Sequence, residues 1–153
     1  MFPWIALNPS LTIMHYNGIT STYKDASEWA AFITALFEAL EERYTAEEVR
    51  RWRVEVWNEP QGCGFFCPAP GVSNLDGYLE LYNTTATAIA AVDPLISVGG
   101  PATAALDWVP EFINFTQGGA AVPAHFLSTH SYPTDYSTNL LTRTIWEGLC
   151  VLV

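Results

Sequence analysis

Apolar positions along the chain follow two spacings, one typical of helices and one typical of strands. The spacing is helical after Asp25, an expected N-cap whose capping-box partner is Glu28. One face of this predicted helix carries Trp29, Phe32, Ile33, Leu36, Phe37 and Leu40. A second capping pair, Thr45 and Glu48, predicts a short helical turn that ends near Arg51.

Short apolar or alternating runs predict strands on either side of the helices. The predicted strands are residues 2–7, 52–57, 95–98 and 126–129. Two further helices are predicted, one from Ser73 to Asp93 and one over residues 107–116. We interpret Gly99-Gly100-Pro101 as a tight turn from strand to helix. Because strands that alternate with helices form βα units, the pattern predicts an α/β fold with a parallel sheet.

Composition narrows the class of protein. The 153 residues are enough for one domain with a core, and a 50% apolar fraction with 14% aromatic residues excludes a disordered chain. The net charge is −10 and Lys24 is the single lysine, so the surface repels phosphate backbones and we expect no nucleic acid partner. No apolar run is long enough to span a membrane, and the first residues lack the basic region of a signal peptide.

The cysteines and histidines do not form a metal-binding pattern. Cys63 and Cys67 lie in one Gly/Pro-rich loop, where they either pair in an oxidising compartment or remain two free thiols. The third cysteine is Cys150, and the histidines are scattered at His15, His125 and His130. We therefore expect neither a metal nor a cofactor.

Polar residues of interest follow the predicted strands. Asn58 and Glu59 follow the second strand, and His130 and Tyr132 follow the last. A glutamate there can protonate a leaving glycosidic oxygen, and an apolar neighbour such as Trp57 favours its protonated form. Taken alone, however, a glutamate after a strand is more often a salt-bridge partner in a loop, and a histidine there is more often structural. Glu55, on the same alternating face as Glu59, is interpreted as an interior or ion-paired residue.

Longer segments carry a family resemblance. The segment VEVWNEP, residues 54–60, resembles the strand-four signature of clan A glycoside hydrolases. Three later stretches, GYLELYNTTATAIAAVDPLISVGGPATA, WVPEFINF and FLSTHSYPTD, narrow the resemblance to glycoside hydrolase family 39, the β-xylosidase and α-L-iduronidase family. The resemblance implies a (β/α)₈ TIM barrel and a carbohydrate substrate. It also favours an extracellular or secretory compartment.

The same resemblance assigns roles to individual residues. It implies that Glu59 is the general acid/base and that Asn58 binds the 2-hydroxyl of the sugar at the cleavage point. His130 and Tyr132 would contact the same sugar. A His-x-Tyr sequence at this place is similar to the xylosidase branch, so a xyloside is the expected substrate.

The chain is short for the fold that this resemblance implies. A (β/α)₈ barrel takes about 250 residues, so residues 1–153 are expected to form one incomplete catalytic domain, with about strands three to six, truncated at both ends. The family's nucleophile is a glutamate after strand seven, which would lie beyond Val153. We therefore expect the chain alone to be inactive. The alternatives are a non-catalytic half-barrel with residual carbohydrate binding and another clan A endoglycanase.

Overall fold

The structure, a computed structural model, describes residues 20–62, 64–118 and 122–131. Its elements, in chain order, are helix α1 (Ala26–Tyr44), helix α2 (Ala46–Val49), strand β1 (Arg53–Glu55), helix α3 (Asn74–Val92), strand β2 (Ser97–Ala104), helix α4 (Val109–Gln117) and strand β3 (Phe126–His130). The three strands form one parallel sheet in the order β1-β2-β3. An α/β fold with a parallel sheet is therefore confirmed.

Both predicted capping residues at the start of the chain's helices are in place. The Asp25 carboxylate accepts hydrogen bonds from the backbone N–H groups of Ser27 and Glu28, at 2.8 and 3.0 Å. The Thr45 hydroxyl accepts one from the backbone N–H of Glu48 at 3.4 Å. Within α1 the predicted apolar face is buried at Trp29, Ile33 and Phe37.

Helix α3 is the centre of the core, between α1 and the sheet. Its buried face carries Gly77, Tyr78, Leu81, Tyr82, Thr85, Ala86, Ala88 and Ile89. The Trp29 indole N–H on α1 donates a hydrogen bond of 2.8 Å to the Thr85 hydroxyl, which itself donates to the backbone oxygen of Leu81. A buried hydrogen bond thus fixes α1 on α3 within an otherwise apolar contact.

The central strand β2 differs from its prediction. Residues 99–101, expected to form a turn, lie in the middle of the strand, and the turn to α4 follows at residues 105–108. The glycines are required by close packing instead. A Cβ at Gly99 would meet the backbone oxygen of Phe126, and a Cβ at Gly100 would meet the Tyr78 hydroxyl. Sequence alone does not separate these two uses of glycine.

Strands β1 and β3 also differ in length from their predictions. β1 is restricted to three residues of the expected six, and β3 extends by one residue to include His130. The predicted strand at residues 2–7 lies outside the described residues. None of the helices in the described ranges is long and apolar enough to cross a membrane.

Candidate active site

The chain stays attached to β2 after β1 ends, and this carries Glu59 to the carboxyl edge of the sheet. The backbone N–H of Val56 donates to the oxygen of Gly99 at 3.1 Å, and that of Glu59 donates to the oxygen of Ala102 at 2.8 Å. Between them the backbone takes unusual conformations, with φ of 71° at Trp57 and 46° at Glu59. Residues other than glycine rarely adopt positive φ, and such strain persists where surrounding contacts hold it.

A tyrosine under the strand supports this segment from inside the core. The Tyr78 hydroxyl donates a hydrogen bond of 3.1 Å to the backbone oxygen of Val56. Burial raises the pKa of Tyr78 well above its ordinary value, and the charges of Tyr82 and Glu55 act in the same direction. Tyr78 therefore remains a neutral hydrogen-bond donor.

The loop after Glu59 is held by side-chain hydrogen bonds. The Asn74 amide donates to the backbone oxygens of Pro60 and Phe66, at 3.0 and 2.9 Å. The Trp57 indole donates to the backbone oxygen of Phe65 at 2.9 Å, and its ring packs edge-on against the buried Phe66. The Trp57 side chain is thus engaged with this loop. Any pairing of Cys63 with Cys67 lies outside the described residues, because Cys63 is not among them.

His130 comes to the same edge from the last strand. It is the final residue of β3, pairs with Ala104 of β2, and its backbone oxygen accepts from the backbone N–H of Ala105 at 2.8 Å. Its ring atom Nδ1 lies 3.0 Å from Oε1 of Glu59. The side chains are 19% exposed for Glu59 and 31% for His130, so both are partly accessible to solvent. The structure therefore brings Glu59 and His130, 71 residues apart in sequence, into direct contact.

Glu55 is a further member of this cluster, whose contact with the histidine sequence reasoning did not identify. Its Oε1 lies 3.9 Å from Nε2 of His130, whereas Glu59 contacts Nδ1 of the same ring. The contact is an ion pair only when His130 is protonated. The alternating position of Glu55 four residues before Glu59 was the available signal, but a strand pattern does not reveal which residue of another strand faces it.

The structure describes only one of the two remaining predicted site residues. Asn58 lies directly before Glu59 and is exposed, whereas Tyr132 lies outside the described residues. Asp107 is in the turn after β2 rather than on a helix, which brings it nearer the carboxyl edge than expected. Its Oδ1 accepts a hydrogen bond from the backbone N–H of Trp108 at 3.1 Å.

The cluster can exchange protons but does not resemble a metal site. A carboxyl group and an imidazole at 3.0 Å can share a proton, which is the chemistry of general acid–base catalysis. Within residues 20–62, 64–118 and 122–131, no three metal-ligating side chains come together. His125 has a structural contact there, since its Nδ1 accepts from the backbone N–H of Val98 at 3.1 Å.

Comparisons with known proteins place the chain among glycosidases. The β-xylosidase of Caldicellulosiruptor saccharolyticus is 44% identical over 125 residues, which is 81% of this chain and 24% of that enzyme. Human α-L-iduronidase is 27% identical over 129 residues, 76% of this chain and 19% of that enzyme. The crystal structure of a monomeric β-xylosidase from Caulobacter crescentus CB15 superposes with a TM-score of 0.69 at 43% identity, covering 80% of this chain and 24% of that one.

The family itself is established by a match over nearly all of the sequence. The chain spans about a quarter of the length of the β-xylosidases that it matches. Its α/β architecture with a parallel sheet is similar to the structures of family 39 enzymes. The family model for glycosyl hydrolases family 39 matches residues 2–147. The chain therefore belongs to glycosyl hydrolases family 39.

Proposed function

We propose that this chain carries the acid/base half of a retaining β-xylosidase-like glycosidase, with Glu59 as the general acid/base. The observation that supports this role best is the 3.0 Å contact between Glu59 Oε1 and His130 Nδ1 at the carboxyl edge of a parallel sheet. Active sites of α/β barrels lie at that edge. The similarity to β-xylosidases, at 44 and 38% identity, supports a xyloside as substrate.

The neighbouring residues take supporting roles in this proposal. Asn58, exposed beside Glu59, binds the 2-hydroxyl of the sugar at the cleavage point, where a hydrogen bond strengthens as the transition state forms. His130 contacts the same sugar and faces Glu59. Tyr132, which is outside the described residues, also contacts this sugar. The bound partner is a carbohydrate, and the reaction needs no cofactor.

The architecture proposed for the whole enzyme is a (β/α)₈ barrel. The strands β1, β2 and β3 correspond to its strands four, five and six, with residues 2–7 as a candidate for strand three. Residues 1–153 then form one incomplete catalytic domain. Retaining hydrolysis needs a second carboxylate about 5–5.5 Å from the acid. We place this nucleophile after strand seven, outside the chain.

The experiment that tests the acid role places this segment in a complete barrel. Residues 20–131 would replace the matching segment of a full-length family 39 β-xylosidase, and Glu59→Gln would be compared with the parent over aryl xylosides of increasing leaving-group pKa. Turnover should fall by about 10²–10⁴-fold for poor leaving groups, which need a proton early. For activated leaving groups the rate of the first chemical step, which forms the glycosyl-enzyme, should fall only slightly.

A matched control is Glu38→Gln, because Glu38 is exposed on α1, a helix that packs against α3. It should leave turnover unchanged for every leaving group. Equal losses of kcat/KM, which reports the first chemical step, in Glu59→Gln for good and poor leaving groups would remove Glu59 from the acid role. If Glu59→Gln has no effect while the chimera binds xylose oligomers, the alternative of a carbohydrate-binding segment is favoured.

A further inference from the structure

We propose that Glu55 is a positioning residue that draws the ring proton of His130 to Nε2 and so leaves Nδ1 free to accept a hydrogen bond from protonated Glu59. The inference starts from one geometric fact. Each nitrogen of the His130 ring faces a different carboxylate, Glu59 at 3.0 Å from Nδ1 and Glu55 at 3.9 Å from Nε2. Two carboxylates thus compete for the proton of a neutral imidazole.

The two proton positions have different consequences for Glu59. A proton on Nδ1 would be donated to the Glu59 carboxylate and would favour its ionised form. A proton on Nε2 leaves Nδ1 as an acceptor, which favours a Glu59 that carries its own proton. A general acid must start in that protonated form. The side of the ring that carries the proton is set by what faces the other nitrogen.

The surroundings of Glu55 support a fixed role for its charge. The backbone of β1 is paired with β2 at Glu55 opposite Gly99, so the side chain leaves the sheet from an anchored position. The backbone of His130 is equally anchored, because it pairs with Ala104 and its oxygen accepts from the backbone N–H of Ala105. At 3.9 Å the contact is longer than a direct hydrogen bond, and the carboxylate acts on Nε2 by its charge or through one bridging water.

The measurement is the tautomer ratio of His130 in the 153-residue chain. Two-bond ¹H–¹⁵N correlation spectra of ¹⁵N-labelled protein at alkaline pH, where imidazoles are neutral, report which nitrogen carries the proton. Glu55→Ala should shift the ratio towards the Nδ1–H form by roughly threefold, as expected for the loss of one charge near 4 Å. Glu59→Ala should shift the ratio in the opposite direction.

Two further variants keep the test decisive. Glu55→Gln preserves the volume of the side chain and an acceptor oxygen, so it should shift the ratio in the same direction as Glu55→Ala but less. Glu111→Ala, exposed on α4, should leave the ratio unchanged. If both Glu55 variants give the same ratio as Glu111→Ala, or shift it towards Nε2–H, the proposal is wrong.

The proposal's meaning for catalysis rests on the acid role proposed for Glu59, but its test does not. The tautomer ratio is measured without substrate. A shift of this ratio would therefore still stand if the leaving-group experiment failed. In the complete barrel, Glu55→Gln should lower kcat more for poor leaving groups than for activated ones, with KM nearly unchanged. Equal loss for both classes would assign Glu55 a structural role in the strand.

Discussion

At the scale of single residues, the segment before the candidate site is supported by close packing that does not accommodate a larger side chain. The Tyr78 hydroxyl supports the segment before Glu59 through the backbone oxygen of Val56, and it does so directly beneath Gly100 of β2. A methyl group at Gly100 would collide with this hydroxyl. The glycine of the central strand and the tyrosine of α3 therefore form one packing unit.

We predict that Gly100→Ala and Tyr78→Phe are coupled. Gly100→Ala alone should lower the free energy of unfolding by about 1–3 kcal/mol, a typical cost of overpacking. Tyr78→Phe alone should cost about 1–3 kcal/mol, because it leaves the buried oxygen of Val56 without its donor. In the double variant the collision is gone, so the combined loss should be smaller than the sum.

Urea unfolding of the parent, the two single variants and the double variant measures this coupling. Tyr82→Phe is a matched control, since the Tyr82 hydroxyl donates to the backbone oxygen of Pro123 rather than to the β1 segment. Its loss should add to that of Gly100→Ala without coupling. Strict additivity of Gly100→Ala with Tyr78→Phe would contradict the packing described here.

At the scale of elements, sequence predicts helices better than strand limits. The limits of α1 and α3 follow from local signals, the caps Asp25 and Ser73 and a continuous apolar face. The length of β2 does not, because Gly99-Gly100-Pro101 is a common turn sequence and its strand conformation depends on neighbours from α3 and β3. Packing between elements outweighs local preference there.

The candidate site shows the same division between local and long-range information. The position of Glu59 after a strand follows from its own neighbourhood in sequence, where Pro60 ends the strand pattern. The approach of Glu55 to His130 depends on the register of β1, β2 and β3, which is fixed by packing across the sheet. No local pattern contains that register, and so this contact could not be predicted.

At the opposite end of the sheet, two acidic side chains and an arginine connect neighbouring elements. Asp93, at the end of α3, is buried and accepts from the Arg50 guanidinium at 2.5 Å and from the backbone N–H of Leu95 at 2.9 Å. Desolvation opposes its charge, but these hydrogen bonds outweigh it and lower the pKa of Asp93. Desolvation, followed by the neighbouring Asp93, raises the pKa of Glu41 on α1. This contact links α1, α3 and the turn into β2.

We predict that Glu41 makes stability fall as pH rises. Because its pKa is raised by folding, the protonated form stabilises the fold, and this contribution is lost as pH rises from the ordinary value of 4.5 through the raised pKa. Glu41→Gln keeps a hydrogen-bond donor towards Asp93 and carries no charge. The variant should be more stable than the parent at neutral pH, by a margin that shrinks as the pH falls through the raised pKa towards 4.5.

Urea unfolding between pH 4.5 and 8 checks this prediction. Glu38→Gln is the matched control, because Glu38 is exposed on α1 one turn earlier. The difference in stability between Glu38→Gln and the parent should not grow with pH as that of Glu41→Gln does. If the difference between Glu41→Gln and the parent is constant with pH, Glu41 does not carry the raised pKa.

At the scale of the whole molecule, the proposed function assigns to the described residues one half of a two-carboxylate mechanism. The described acidic residues after Glu59 lie on or beside helices, as do Asp76, Glu80, Asp93 and Glu111, or in the turn after β2, as does Asp107. Glu55 lies in the same cluster as Glu59, beside Nε2 of His130, whereas Glu59 lies beside Nδ1. Asp135 and Glu147 lie outside the described residues.

We predict that the 153-residue chain alone does not hydrolyse glycosides. Retaining chemistry requires two carboxyl groups about 5–5.5 Å apart on either side of the bond that breaks. The purified chain, incubated with an activated aryl xyloside, should release no more phenol than the buffer. Release that disappears in Glu59→Ala would show that a nucleophile is present in this chain, and the proposed assignment of strands would be wrong.

The most direct test of the central claim, that Glu59 is the acid/base, is the stereochemistry of anion rescue. In the complete barrel carrying residues 20–131 of this chain, Glu59→Ala would be given an activated aryl β-xyloside and azide. Azide attacks a glycosyl-enzyme without help from a general base, so turnover should recover and NMR should show β-xylosyl azide, with the configuration retained. Recovery with α-xylosyl azide would identify Glu59 as the nucleophile, and no recovery at all would contradict an acid/base role.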